Sequence, residues 1–207
     1  MIDSGAAPPG DRESPVAPRT GGVAGNARLT AAVGVALLVL LVAEGVTIPF
    51  IGQLLGPHFF IGLLLVPPVA LKMASTGYRF VRYYADDAQY VRRGPPPLAL
   101  RLMAPGLVLT TLALFGTGIA LLFARPPSDT LIFAHKLSFF VWVAFFGLHV
   151  LGHLLELPRL ASADWRRSGG REARLAGAGM RAVAVAASIA LGVGLGFLSL
   201  SVGSSWL

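Results

Sequence analysis

The sequence predicts an all-α integral membrane protein, a helical bundle of four core transmembrane helices plus a fifth C-terminal helix. Two observations lead there. Of the 207 residues 55% are hydrophobic and only 13% charged, with a mean hydropathy of +0.70, whereas an average soluble domain carries roughly 25% charged residues. The apolar residues are also gathered into five runs, 29–51, 58–76, 99–123, 131–156 and 177–202, each near or above the roughly 20 residues of helix that cross a hydrocarbon core.

Residues 1–27 are rich in Pro, Gly, Ala and Ser and have no apolar periodicity, which predicts a disordered tail. It is too long and too acidic for the n-region of a signal peptide, and no small-residue cleavage site follows the first apolar run, so that run is expected to stay in the membrane. The second run contains Pro67-Pro68, which predicts a kink that neighbouring helices can tolerate. Residues 28–157 hold the first four runs. Residues 158–176 form a basic connection, and 177–202 form a fifth helix whose small residues allow close packing. With no histidine of its own, this last helix is expected to be accessory.

The formal charge of +7 would suit a nucleic-acid surface only if the cations formed a patch on a soluble face. Here they lie between apolar runs, so no nucleic-acid partner is expected. Fifteen of the 17 Lys and Arg fall on the tail and on the second and fourth connections with their helix ends, leaving Arg125 and Lys136 on the other side. The positive-inside rule then predicts a multi-pass cell-membrane protein with a cytoplasmic N-terminus and an external C-terminus. Tyr78, Tyr83, Tyr84 and Tyr90 fit an interfacial belt beside the second connection. The absence of cysteine excludes disulfides, thiolate metal sites, iron–sulfur clusters and covalently attached haem.

Three of the four histidines stand in "FAHKLSFFVWVAFFGLHVLGHLLEL", a segment in which an imidazole is costly unless something satisfies it. By the predicted topology His58, at the entry of the second run, and His135, at the entry of the fourth, lie at similar depth near the external face. His149 follows His135 by 14 residues, about 21 Å further along the helix and within about 40° of the same face. His149 and His153 form an i, i+4 pair of the kind that chelates zinc, but the sequence H-V-L-G-H lacks the Glu of a zinc protease. Glu44 is the one carboxylate well inside an apolar run, where an ionisable group is a functional candidate and could relay protons. Gly62 and Gly116 sit near the histidines, where a missing side chain leaves room between helices. Lys136 and Arg125 lie near the external end, where snorkelling to the interface would anchor them.

On His58 in the second helix and His135 and His149 in the fourth, residues 29–157 resemble the membrane b-type cytochromes. These are the helical-bundle subunits that serve hydrogenases, formate dehydrogenases and related oxidoreductases. The resemblance implies haem b held without covalent attachment, with histidines of two helices as iron ligands. It also implies electron transfer between the quinone pool and a partner oxidoreductase. One haem between His58 and His135 is the favoured expectation, with a second as the alternative. In place of a second inner histidine stand Lys72 and Met73, so an inner iron would take one of them as an unusual ligand, or else His149 and His153 would serve something different, such as a quinone. No G-x-G-x-x-G follows a strand, and no soluble catalytic domain is expected, so enzymatic activity would belong to the complex. A haem-free polytopic scaffold or small transporter is the alternative from another class. Paired broken helices or internal repeats would favour a transporter, and neither is evident.

Overall fold

The computed structural model describes residues 22–94, 98–124, 126, 128–165 and 177–206, with side chains at these positions except 99, 153–165 and 205. The helices are α1 (Gly22–Thr47), α2 (Ile51–Tyr84), the short α3 (Ala88–Arg92), α4 (Leu98–Phe123), α5 (Asp129–Trp165) and α6 (Ala178–Val202). No strand occurs among the described residues. Four apolar stretches are long enough to cross a membrane: Gly22–Tyr84, Leu100–Phe123, Asp129–Gly152 and Ala178–Val202.

The first stretch spans 63 residues, far more helix than one crossing takes at 1.5 Å per residue. It folds back on itself through a 3₁₀ turn at Ile48–Phe50. Antiparallel packing of its two arms brings Asn26 and Thr30 of α1 against Ser75 of α2, with Asn26 Nδ2 donating to the Ser75 carbonyl at 3.0 Å. Only Leu54 leaves helical dihedrals inside α2 (φ −111°, ψ 23°). That break lies one turn before Pro57, whose ring lacks an N–H and crowds the carbonyl four residues back. The expected kink at Pro67-Pro68 is absent from the backbone dihedrals, and α2 runs through both prolines.

The packing explains how those prolines are accommodated. Pro68 cannot donate to the Leu64 carbonyl, and α6 comes close to that carbonyl at Gly192, where a Cβ would collide with Leu64 O. Gly196 lies close to Phe60, its would-be Cβ 2.9 Å from the Phe60 carbonyl, and Gly203 meets the Phe59 ring. Ser199, 1% exposed, completes the stripe. Small residues bring two helix backbones together in lipid, where the hydrophobic effect gives no drive for association. The fifth helix is therefore closely integrated rather than accessory, and α2 is sandwiched between α1 and α6.

α4 and α5 form the other antiparallel pair. Trp142 Nε1 donates to Thr111 Oγ1 at 3.0 Å, the Phe145 ring covers Gly106, and Leu100 packs on Gly152. The end of α1, start of α2, end of α4, start of α5 and end of α6 thus gather at one side of the bundle. At the opposite side Arg101 of α4 donates to the Tyr84 hydroxyl of α2, and Asp87 caps α3 through the Gln89 amide at 2.9 Å.

Two boundaries differ from expectation. Residues 22–27, expected in the tail, form the first turns of α1, and α5 continues through 158–165. The remaining tail, residues 1–21, and residues 166–176 of the basic connection lie outside the described residues.

Candidate functional site

At the side where five helix ends meet, the chain places polar groups inside the apolar bundle. Glu44 lies one helical turn before the end of α1, three residues ahead of Thr47, so both look towards the start of α2. There His58 is held through Nδ1, which is 2.9 Å from Glu44 Oε1 and 2.9 Å from Thr47 Oγ1. Thr47 gives its own proton to the Glu44 carbonyl at 2.6 Å, so towards His58 its oxygen can only accept. A carboxylate and an acceptor hydroxyl on one ring nitrogen put the imidazole proton on Nδ1. The lone pair is left on Nε2.

The same logic applies on the other helix pair. Thr117 of α4 donates to the Ala113 carbonyl at 2.8 Å and lies 3.0 Å from His135 Nδ1, so it accepts from that nitrogen. Ser138 donates to the His135 carbonyl at 2.8 Å and lies 3.3 Å from the Thr117 hydroxyl. His135 also carries its proton on Nδ1 and its lone pair on Nε2. The Leu114 backbone is a further hydrogen-bond partner of the His135 ring.

The two imidazole rings are neighbours, with ring centres 6.4 Å apart and planes at 80° in an edge-on arrangement. Gly118 lets the His135 ring lie against α4, where a Cβ would be 3.0 Å from its Cε1. Gly62 leaves room for Glu44, its would-be Cβ 3.5 Å from Oε1. Gly116 has open space around it, and Lys136 is exposed on α5 beside His135.

The other Glu44 oxygen, Oε2, is buried without a hydrogen-bond partner among the described residues. An unsatisfied carboxylate oxygen in an apolar setting is costly, and it marks this end of the bundle as unusual. The remaining polar seam, between α1 and α2 at the opposite end, has a structural explanation. Lys72 Nζ donates to the Thr30 carbonyl at 2.6 Å beneath Gly34, and Ser75 links to Thr30 at 3.0 Å. Lys72 is thus engaged with α1. His149 lies two turns beyond Trp142 on α5, partly buried, and the side chain of His153 is outside the described ones.

Among the described residues no three His, Cys, Asp or Glu side chains converge as a metal cage. A closed, four-ligand structural zinc site therefore has no basis there. The described residues instead bring two imidazoles close together, each hydrogen-bonded through Nδ1. Thr47, Thr117 and Ser138 are the site residues that sequence reasoning missed. Thr117 had a signal: it lies six residues before the end of α4, as His135 lies six after the start of α5, so the hairpin puts them at one depth.

Comparison of the chain with family models, curated proteins and solved structures finds no match.

Proposed function

We propose that the protein is a membrane b-type cytochrome, with one haem b held by His58 of α2 and His135 of α5. The carrying observation is the 6.4 Å separation of two imidazoles anchored through Nδ1. Imidazoles sharing one metal through Nε2 have their ring centres about 6 Å apart, given a metal–nitrogen distance of about 2 Å and about 1 Å from nitrogen to ring centre. Anchoring of the distal ring nitrogen by a carboxylate or another acceptor is the usual support of a ligating histidine. When bound, haem supplies a one-electron couple. The polypeptide holds the iron, fixes the ring orientation and excludes water. Open space at Gly116 and the exposed Lys136 are compatible with a macrocycle edge and its carboxylates.

In this reading the chain carries electrons between the quinone pool and a partner oxidoreductase. The N-terminus is cytoplasmic and the C-terminus external, supported by the fifteen-to-two distribution of Lys and Arg. His58 and His135 then lie near the external face, and Glu44, with its second carboxylate oxygen without a partner, stands where a quinol hydroxyl or a proton would approach.

The test is absorbance of detergent-purified protein, oxidised and dithionite-reduced, beside His58→Ala, His135→Ala and His149→Ala. A six-coordinate b-type spectrum lost in the first two variants and kept in the third is expected. Loss of half the pigment in His149→Ala would mean a second, inner haem. Colourless wild-type protein made with haem available would overturn the reading. In that case the Glu44–His58 and Thr117–His135 pairs would serve only as interhelical polar locks in a scaffold or small transporter.

A further inference from the structure

The two imidazoles are not supported alike. His135 leans on a neutral hydroxyl, Thr117, whereas His58 shares its Nδ1 proton with a carboxylate oxygen at 2.9 Å. That carboxylate has no lysine or arginine in ion-pair range among the described residues, and its side chain is only 14% exposed. Its other oxygen has no hydrogen-bond partner among the described residues. A negative charge on Glu44 would therefore be little screened by water, and the group placed to share it is the His58 ring.

From this asymmetry we infer that Glu44 is a positioning residue that makes His58 the more anionic of the two axial ligands and holds the redox potential of the iron low. The inference rests on the haem reading above. The physical chain is short. An acceptor carboxylate pulls the Nδ1 proton towards itself, which raises electron density on Nε2 and strengthens its donation to the metal. The more positive, ferric state gains most from such a ligand, so the potential falls. Hydrogen bonding behind the axial ligand and burial are among the levers a protein has on haem potential. Burial matters because charge–charge interactions weaken steeply as the local dielectric rises. Thr47 does not compete with this role. Its hydroxyl proton is committed to the Glu44 carbonyl, so it steadies the ring in the same tautomer.

The experiment is equilibrium redox titration of the purified pigmented protein, with wild type, Glu44→Gln, Glu44→Asp and Thr117→Val compared at one pH. Glu44→Gln keeps the size and an acceptor oxygen but removes the charge. It is expected to retain a six-coordinate spectrum with a clearly more positive midpoint potential. Glu44→Asp withdraws the charge by one methylene and is expected to fall between the two. A shift in Thr117→Val smaller than in Glu44→Gln is expected, since a neutral acceptor is lost there.

A Glu44→Gln protein with wild-type pigment and an unmoved midpoint would overturn the inference. If Glu44→Gln does not keep its pigment, Glu44→Asp decides: a positive shift supports the inference and an unmoved potential overturns it. Failure of the haem reading would be distinguishable, because the wild type itself would then be colourless. A purely structural Glu44 would change pigment content or melting temperature but leave the potential of the surviving pigment where it was.

Discussion

Thr117 illustrates how much one hydroxyl fixes at this site. Its proton goes to the Ala113 carbonyl and its oxygen to His135 Nδ1, so it selects the ring tautomer as well as the ring position. Thr117→Val keeps the shape and removes the acceptor. If His135 holds haem as proposed, haem affinity is expected to fall by about 10- to 100-fold, the usual effect of losing such a partner, as measured by haem titration into pigment-depleted protein. Thr47→Val is expected to cost less, because Glu44 Oε1 still accepts from the same N–H of His58. A second outcome follows from the 80° between the ring planes. If both rings hold a haem iron as proposed and keep that angle, two iron d orbitals would be nearly equal in energy, and the ferric protein should give a strongly anisotropic low-spin electron paramagnetic resonance signal. A rhombic signal would mean that the rings turn parallel when the iron binds.

Among the elements, α6 shows where sequence reasoning reached its limit. The small residues of 177–202 announce close packing, yet they do not say against what. The partner is α2, whose Leu64 and Phe60 carbonyls the glycine face approaches closely. Gly192→Leu would drive a side chain into the Leu64 carbonyl, which is backbone and cannot swing aside. Destabilisation of about 1–3 kcal/mol is expected, as for other overpacked contacts, read as a lower melting temperature by circular dichroism in detergent. Gly194→Leu is the control: nothing lies within 4 Å of its would-be Cβ, so its melting temperature should stay near that of the wild type. The kink behaves similarly. Proline composition pointed to Pro67-Pro68, whereas the backbone dihedrals depart from helical values at Leu54, ahead of Pro57.

Across the whole molecule, the alternation of apolar runs was legible because hydrocarbon thickness fixes helix length, and run boundaries fix depth to within about a turn. For that reason the matched depths of His58 and His135 could be read before any contact was known, while the lateral arrangement could not. Depth says nothing about which helices are neighbours. The structure divides into α1, α2 and α6 on one side and the α4–α5 pair on the other, with slighter contact of α4 with α2 and α6. His58 belongs to the first group and His135 to the second. A haem ligated by both would be a tie across the weaker seam, and its binding energy would add to the cohesion of the bundle. Ligand that binds only the folded state stabilises it by about 2.7 kcal/mol when present at 100 times its dissociation constant. Pigmented wild-type protein should therefore melt well above pigment-depleted protein, and His135→Ala should melt with the depleted form whether or not haem is supplied. His149→Ala should keep the haem-dependent increase. Equal melting temperatures of pigmented and depleted wild type would mean that the two groups of helices hold together without the tie, and that the histidines bind the pigment without bearing on the fold.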